Sequence, residues 1–255
     1  MKSLLLLLFF LTACSPAKLA PTATATSLPP TITSTETPLP SPTATATATL
    51  TPTATNIPTP TLTPVPTYLV LRGMVTEHVS CFYGPSKAYL YKYGLLVGNR
   101  LDIIGYNADT GYIEVQAIGG NNPCWMNLKW MDVQRDVNMV QPVDPLTIEL
   151  PQSPYYGPLN RVNAVRSGEE VTITWDALEI SPGKDSLQEP YLVEAWVCQS
   201  GKITFVPIGV YVPEATIVDE PGCSDPSFGR VYGVEKHGYT KAREIQWPQA
   251  ETLGQ

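Results

Sequence analysis

Histidine is almost missing from this chain: there are two in 255 residues, His78 and His237. They fall in different halves and no CxxC or HExxH spacing accompanies them, so zinc sites and base-assisted nucleophiles lack their partners. Lys and Arg form no cluster, and the net charge is −7, which excludes a nucleic-acid surface and a polybasic membrane patch. A spaced acidic loop is also absent. Asp109 and the pair Asp219-Glu220 near Asp225 read either as calcium ligands or as turn acids, and calcium wants about six converging oxygens. No apolar run approaches the roughly 20 residues of a membrane-spanning helix. The expectation is a protein that is not an enzyme and has no metal and no cofactor.

What the chain does have begins at its first residues. Lys2 supplies a positive start, and residues 4–11, with Phe9 and Phe10, form an apolar segment of about eight residues that suits a signal h-region. It ends in Leu11-Thr12-Ala13-Cys14, which resembles the lipobox of bacterial lipoproteins. That resemblance implies cleavage before Cys14, lipidation of Cys14, and a chain held by its N-terminal lipid at the cell membrane on the extracytoplasmic face. The alternative is an ordinary secretory signal with Cys14 merely near the cut. Residues 1–14 are a processing signal in either case.

Five cysteines stand at 14, 81, 124, 198 and 223. Removing the lipidated one leaves an even four in an exported chain, where oxidation is permitted. Of the three possible pairings, only Cys81 with Cys124 and Cys198 with Cys223 keeps each bridge inside one expected module. By the chain-entropy argument, loops of those lengths stabilise a domain by roughly 3 to 4 kcal/mol.

Residues 15–67 are mostly Thr, Pro, Ala and Ser, as in Ser41-Pro42-Thr43-Ala44-Thr45-Ala46. Such a tract has almost nothing to bury and is expected to be a disordered stalk in extended, polyproline-like states, with a full reach on the order of 150 Å. Its Thr residues are either O-glycosylated or plain spacer.

Short apolar pieces separated by turn residues then occupy residues 68–137. Leu69-Val70-Leu71 and Gly73-Met74-Val75 open the run, and Gly84-Pro85-Ser86 is a turn. Leu101-Asp102-Ile103-Ile104-Gly105 and Tyr112-Ile113-Glu114-Val115 are strands flanking the hairpin-type turn Asn107-Ala108-Asp109-Thr110-Gly111. Cys124-Trp125-Met126 and Trp130-Met131-Asp132-Val133 close a small barrel of five or six strands. Cys81-Phe82-Tyr83-Gly84-Pro85-Ser86, Tyr89, Leu96-Val97-Gly98, Ile103-Ile104-Gly105, Asn107-Ala108-Asp109 and Pro123-Cys124-Trp125 resemble the bacterial SH3 (SH3b) domain in a disulfide-bearing variant. Phe82 and Tyr112 stand where that family usually has Arg and Trp. The resemblance implies cell-wall glycan or peptide as the ligand class.

Residues 138–158 form a Pro-rich linker in which 146–150 could add a strand to either neighbour. Residues 159–250 then carry seven expected strands, near 162–166, 171–175, 191–197, 203–206, 215–218, 230–235 and 242–247, the count of an immunoglobulin-like sandwich. Trp175 closing the second strand and Tyr232 beside Val234 on the sixth resemble the fibronectin type III fold. The fold class expected is therefore all-β: a small SH3-like barrel followed by a fibronectin type III-like sandwich.

Two features are candidates for binding. Glu235-Lys236-His237-Gly238-Tyr239 is either a strand end running into a turn or a ligand site. Tyr83, Tyr89, Tyr91, Tyr93, Tyr112 and Trp125, with Tyr106 and Trp130, crowd into one barrel. They are either part core or an aromatic surface for peptide or glycan. On an extended segment Tyr89, Tyr91 and Tyr93 would share one face. The resulting expectation is an envelope protein that binds a wall glycan or peptide. The alternative is an adaptor that binds another surface protein through the sandwich edge.

Overall fold

The computed structural model describes residues 67–179 and 188–250, all within one compact unit. Cys14, expected to carry the lipid, and nearly all of the residues expected to form the signal and stalk lie outside the described residues. The fold is all-β. No helix among the described residues is long and apolar enough to cross a membrane.

Alternation builds the first half. In β1 (Leu71–Val75), β4 (Arg100–Asn107) and β5 (Tyr112–Ala117), buried and exposed residues alternate, so one face of each strand carries the apolar side chains. These strands join β2 (Val79–Phe82), β3 (Tyr91–Leu95), β6 (Cys124–Asn127) and β7 (Met131–Val133) in one antiparallel sheet ordered β3-β2-β6-β5-β4-β1-β7. Leu95 of β3 and Met131 of β7, at opposite ends of that order, belong to one buried cluster with Ile103, Ile113 and Val115. The sheet must therefore curl upon itself as a barrel does. Cys81 and Cys124 are bonded inside this core, with Cα atoms 5.6 Å apart. In the β4–β5 turn the Asn107 side chain accepts from Thr110 N at 3.1 Å and Gly111 takes φ +70°, where a Cβ would be strained.

The second half splits into two sheets. β8 (Asn163–Ser167), β9 (Glu170–Thr174) and β12 (Glu214–Val218) form one, ordered β12-β9-β8. β10 (Tyr191–Gln199), β11 (Lys202–Val210), β13 (Phe228–Glu235) and β15 (Arg243–Glu244) form the other, in which β13 also pairs with β14 (Gly238–Tyr239). Apart from β14, strands one, two and five thus face strands three, four, six and seven. Val171, Ile173, Trp175, Val193 and Val231 fill the space between, as in an immunoglobulin-like sandwich. Cys198 and Cys223 are bonded with Cα atoms 5.7 Å apart.

The linker differs from a simple spacer. Residues 146–150 contain no strand, because Asp144 caps a 3-10 turn at Pro145–Thr147 by accepting from Leu146 N. Pro142 instead bridges to Tyr106 of β4, and Gln152 bridges to Tyr239 of β14. The linker is thereby stitched to both halves.

The barrel and the sandwich share a third buried cluster. β10 is buried on both faces: Val193, Ala195 and Val197 point into the sandwich, while Leu192 and Trp196 point outward against Ala88, Tyr89 and Leu90 of the barrel. Tyr232 and Val234 lie in this junction. The alternation of β13 turns Tyr232 outward while Val231 faces in.

Candidate binding groove

Strand alternation decides which barrel side chains can meet a ligand. Cys124 and Met126 on β6 face the core, so Trp125 between them faces outward; Glu114, its registered partner on β5, lies likewise between core residues Ile113 and Val115. Lys92 of β3 and Tyr83, just after β2, reach the same outer surface. Together these four line a groove of about 350 Å³ whose far wall includes Thr147 and Glu149 of the linker. Trp125 is only 2% exposed, so it serves as floor.

The groove holds charges of both signs. The Lys92 ammonium sits 5.0 Å from the centre of the Tyr83 ring and donates to the Pro123 carbonyl at 2.6 Å. Burial pushes its pKa down, with Glu114 pulling the other way. Burial pushes the Glu114 carboxyl up, with Lys92 offsetting part of the shift. The two make no ion pair. A ring wall, one ammonium and two carboxylates can hold a short peptide with charges of both signs. Among the described residues, no group of three or more His, Cys, Asp or Glu side chains is placed to hold a metal ion.

The other tyrosines part company. Tyr89 precedes β3, is buried in the junction and donates its hydroxyl to Glu194, so it is core and shares no face with Tyr91 and Tyr93. A side chain on Gly84 would collide with the Tyr89 ring, which accounts for glycine at that turn. Tyr91 is exposed, and the Tyr93 hydroxyl donates to the Asn122 carbonyl at 2.7 Å, away from the groove. Burial raises the pKa of Tyr112, which lies against the Lys87 backbone and the Asn127 side chain. The platform expected from Tyr89, Tyr91 and Tyr93 therefore does not assemble. Tyr83 and Trp125 remain. Sequence reasoning passed over Glu114, Thr147 and Glu149, although the outward position of Glu114 could have been read from its apolar neighbours.

The acids considered for calcium have protein partners instead. Asp109 reaches from the β4–β5 turn to β11, accepting from Phe205 N at 3.0 Å and pairing with Lys202 at 3.1 Å. Asp219 accepts from Arg166, Trp247 Nε1, Cys198 N and Ser227 Oγ. Burial alone would raise its pKa, but the hydrogen bonds from Ser227, Trp247, Cys198 and Arg166 hold it below the usual carboxylate range. Glu235 lies 2.8 Å from His237 Nδ1, and the Tyr155 ring packs on that imidazole at 5.0 Å. This tie between linker and β13–β14 turn is a local clasp.

No protein-family model and no curated protein matches the chain. Among solved structures it is similar to one described as "Titin kinase and its flanking domains", at 19% identity and TM-score 0.27, covering 37% of this chain and 17% of that one. It is similar also to "The crystal structure of a Fn3-like protein from Clostridium thermocellum", at 17% identity and TM-score 0.24, covering 38% of this chain and 100% of that one. At these scores neither likeness carries an argument about function.

Proposed function

We propose that the chain is a non-catalytic binding protein of the cell envelope, anchored through lipid on Cys14 at the extracytoplasmic face of the cell membrane, that holds a cell-wall peptide in the barrel groove. The observation that carries this reading is the groove itself, where Lys92 and Glu114, which make no ion pair, stand beside the half-buried Tyr83 ring. Of the two wall ligands, glycan and peptide, charges of both signs favour the peptide. The two disulfides suit an oxidising, extracytoplasmic compartment, and the SH3b resemblance of the barrel supports a wall ligand.

The adaptor alternative has less support. β11 is an edge strand, but Pro207 interrupts its donors and Asp109 already occupies the Phe205 amide.

The test is binding of soluble peptides released enzymatically from purified wall, measured by calorimetry on the full chain in detergent. Tyr83→Ala is expected to weaken binding by about 1 kcal/mol with folding intact. Absence of peptide binding, alongside capture of the chain by envelope proteins, would favour the adaptor. For the anchor, Cys14→Ala is expected to release the protein from the membrane fraction.

A further inference from the structure

The two disulfides lie in opposite surroundings. Cys81 and Cys124 are 0% and 2% exposed and are packed inside the barrel core with Ile103, Ile113 and Met126. The Cys198–Cys223 bridge stands at the end of β10, and both of its residues line a cavity of about 590 Å³ walled by the segment that follows β12. Cys198 is buried on its strand, whereas Cys223 is only half-buried on a loop.

Little besides this bridge holds that loop. On one side Glu220 N donates to the Cys198 carbonyl at 2.9 Å, and on the other the buried Ser227 hydroxyl donates to Asp219 at 2.6 Å. Between them, residues 221–226 make no hydrogen bond to another element among the described residues, and the Ser224 hydroxyl reaches only its neighbour Asp225. The sandwich core itself contains neither sulfur. The cavity also has a charge of one sign: Asp219, Glu220 and Asp225 line it without any Lys or Arg, and Arg166 offsets Asp219 alone.

We propose that the Cys198–Cys223 bridge is a thiol-exchange site, attacked at Cys223 Sγ and selective for small thiols that carry a positive charge. The thiolate of the reagent bonds to Cys223 Sγ, the Cys198–Cys223 bond breaks, and its electron pair leaves on Cys198 Sγ, which takes a proton from water. A second equivalent of thiol attacks the mixed disulfide, so that Cys223 leaves as a thiol and the reagent as its own disulfide. Access sets the direction, because a nucleophile meets the loop sulfur before the sulfur of a residue buried on a strand. The two uncompensated carboxylates draw in a cationic thiol and repel an anionic one. Opening the bridge frees residues 221–226 and reshapes the cavity, while the barrel groove is untouched, so the site stands or falls apart from the peptide reading.

The test treats the full chain in detergent, without denaturant, with cysteamine or with 2-mercaptoethanesulfonate, thiols of similar size and opposite charge, at equal thiolate concentration. Free thiols are trapped by alkylation and located by mass spectrometry. Cys198 and Cys223 are expected to open at least about tenfold faster than Cys81 and Cys124, with the near-ultraviolet circular dichroism of the tryptophans kept. Trapping at low conversion should place the adduct on Cys223. Cysteamine should react about threefold faster than the sulfonate at low salt, and Glu220→Gln combined with Asp225→Asn should bring the two to one rate. Opening of both bridges at one rate, loss of the tryptophan signal as Cys198–Cys223 opens, an adduct on Cys198, or equal rates for the two reagents on the native chain would each overturn the proposal.

Discussion

The module junction and the barrel groove are made of the same materials, and they differ in how far the protein satisfies its own polar groups. In the junction Glu194 accepts from Tyr89, from Arg230 and from the Tyr232 hydroxyl, while Tyr239 accepts from Leu90 N at 2.6 Å. Arg230 lies 5.5 Å from the Trp196 ring centre and 5.6 Å from that of Tyr232. Every charge there has a partner. In the groove Lys92 and Glu114 sit beside Tyr83 and Trp125 without pairing. A cluster of tyrosines and charges is thus uninformative by itself; its unspent hydrogen-bonding capacity separates a structural core from a surface that can take a ligand.

Removing Glu194 should break this contrast most severely. Glu194→Ala strands Arg230 and the Tyr89 hydroxyl in a buried site, and the expected loss is about 3 to 5 kcal/mol in denaturant unfolding of the full chain. A loss below about 1 kcal/mol would mean that the junction is not a cooperative part of the fold.

Asp219 is a second saturated acid, bonded to Cys198 N near the end of β10, and it sharpens the comparison through pH. Its folded-state pKa is depressed. Its contribution is therefore present above the ordinary Asp value near 3.9 and lost as pH falls through the folded value. Asp219→Asn should flatten the acid limb of the stability profile below about pH 4, and an unaltered acid limb would show that another group governs it.

Tyrosine hydroxyls give a smaller effect. Tyr89→Phe leaves a Glu194 oxygen without its donor and should cost about 1 to 3 kcal/mol, whereas Tyr83→Phe should stay within about 0.5 kcal/mol. Equal effects would erase the distinction between junction and groove.

Glu114 should show the smallest change, with opposite sign. Burial raises its folded-state pKa, so its carboxylate lowers stability as pH rises through that value. Glu114→Gln is expected to leave stability unchanged or to raise it by a few tenths of a kcal/mol at neutral pH, while weakening peptide binding. Clear destabilisation would place Glu114 among the structural acids.

The amino-acid order by itself determined what depends on neighbours in the chain or on counting. Alternation along residues 101–105 and 112–115, around the Asn107-Gly111 turn, is enough to write β4 and β5, because the side-chain period of a strand is local. The even number of cysteines beyond Cys14 leads to the two bridges once the chain is divided in two. β14 was not legible, since two residues carry no period.

Tertiary structure alone decided which aromatic residues are core. Tyr89 is buried because its acceptor, Glu194, lies 105 positions away in sequence, and Asp109 is engaged by an amide 96 positions away. Trp125 faces outward on its strand yet is hidden, in a groove walled in part by a linker whose proline content reads as solvent-exposed spacer. Local patterns specify the direction a side chain points relative to its own strand. Whether that direction ends in water or against another element depends on contacts made across the whole fold, and no local period encodes them.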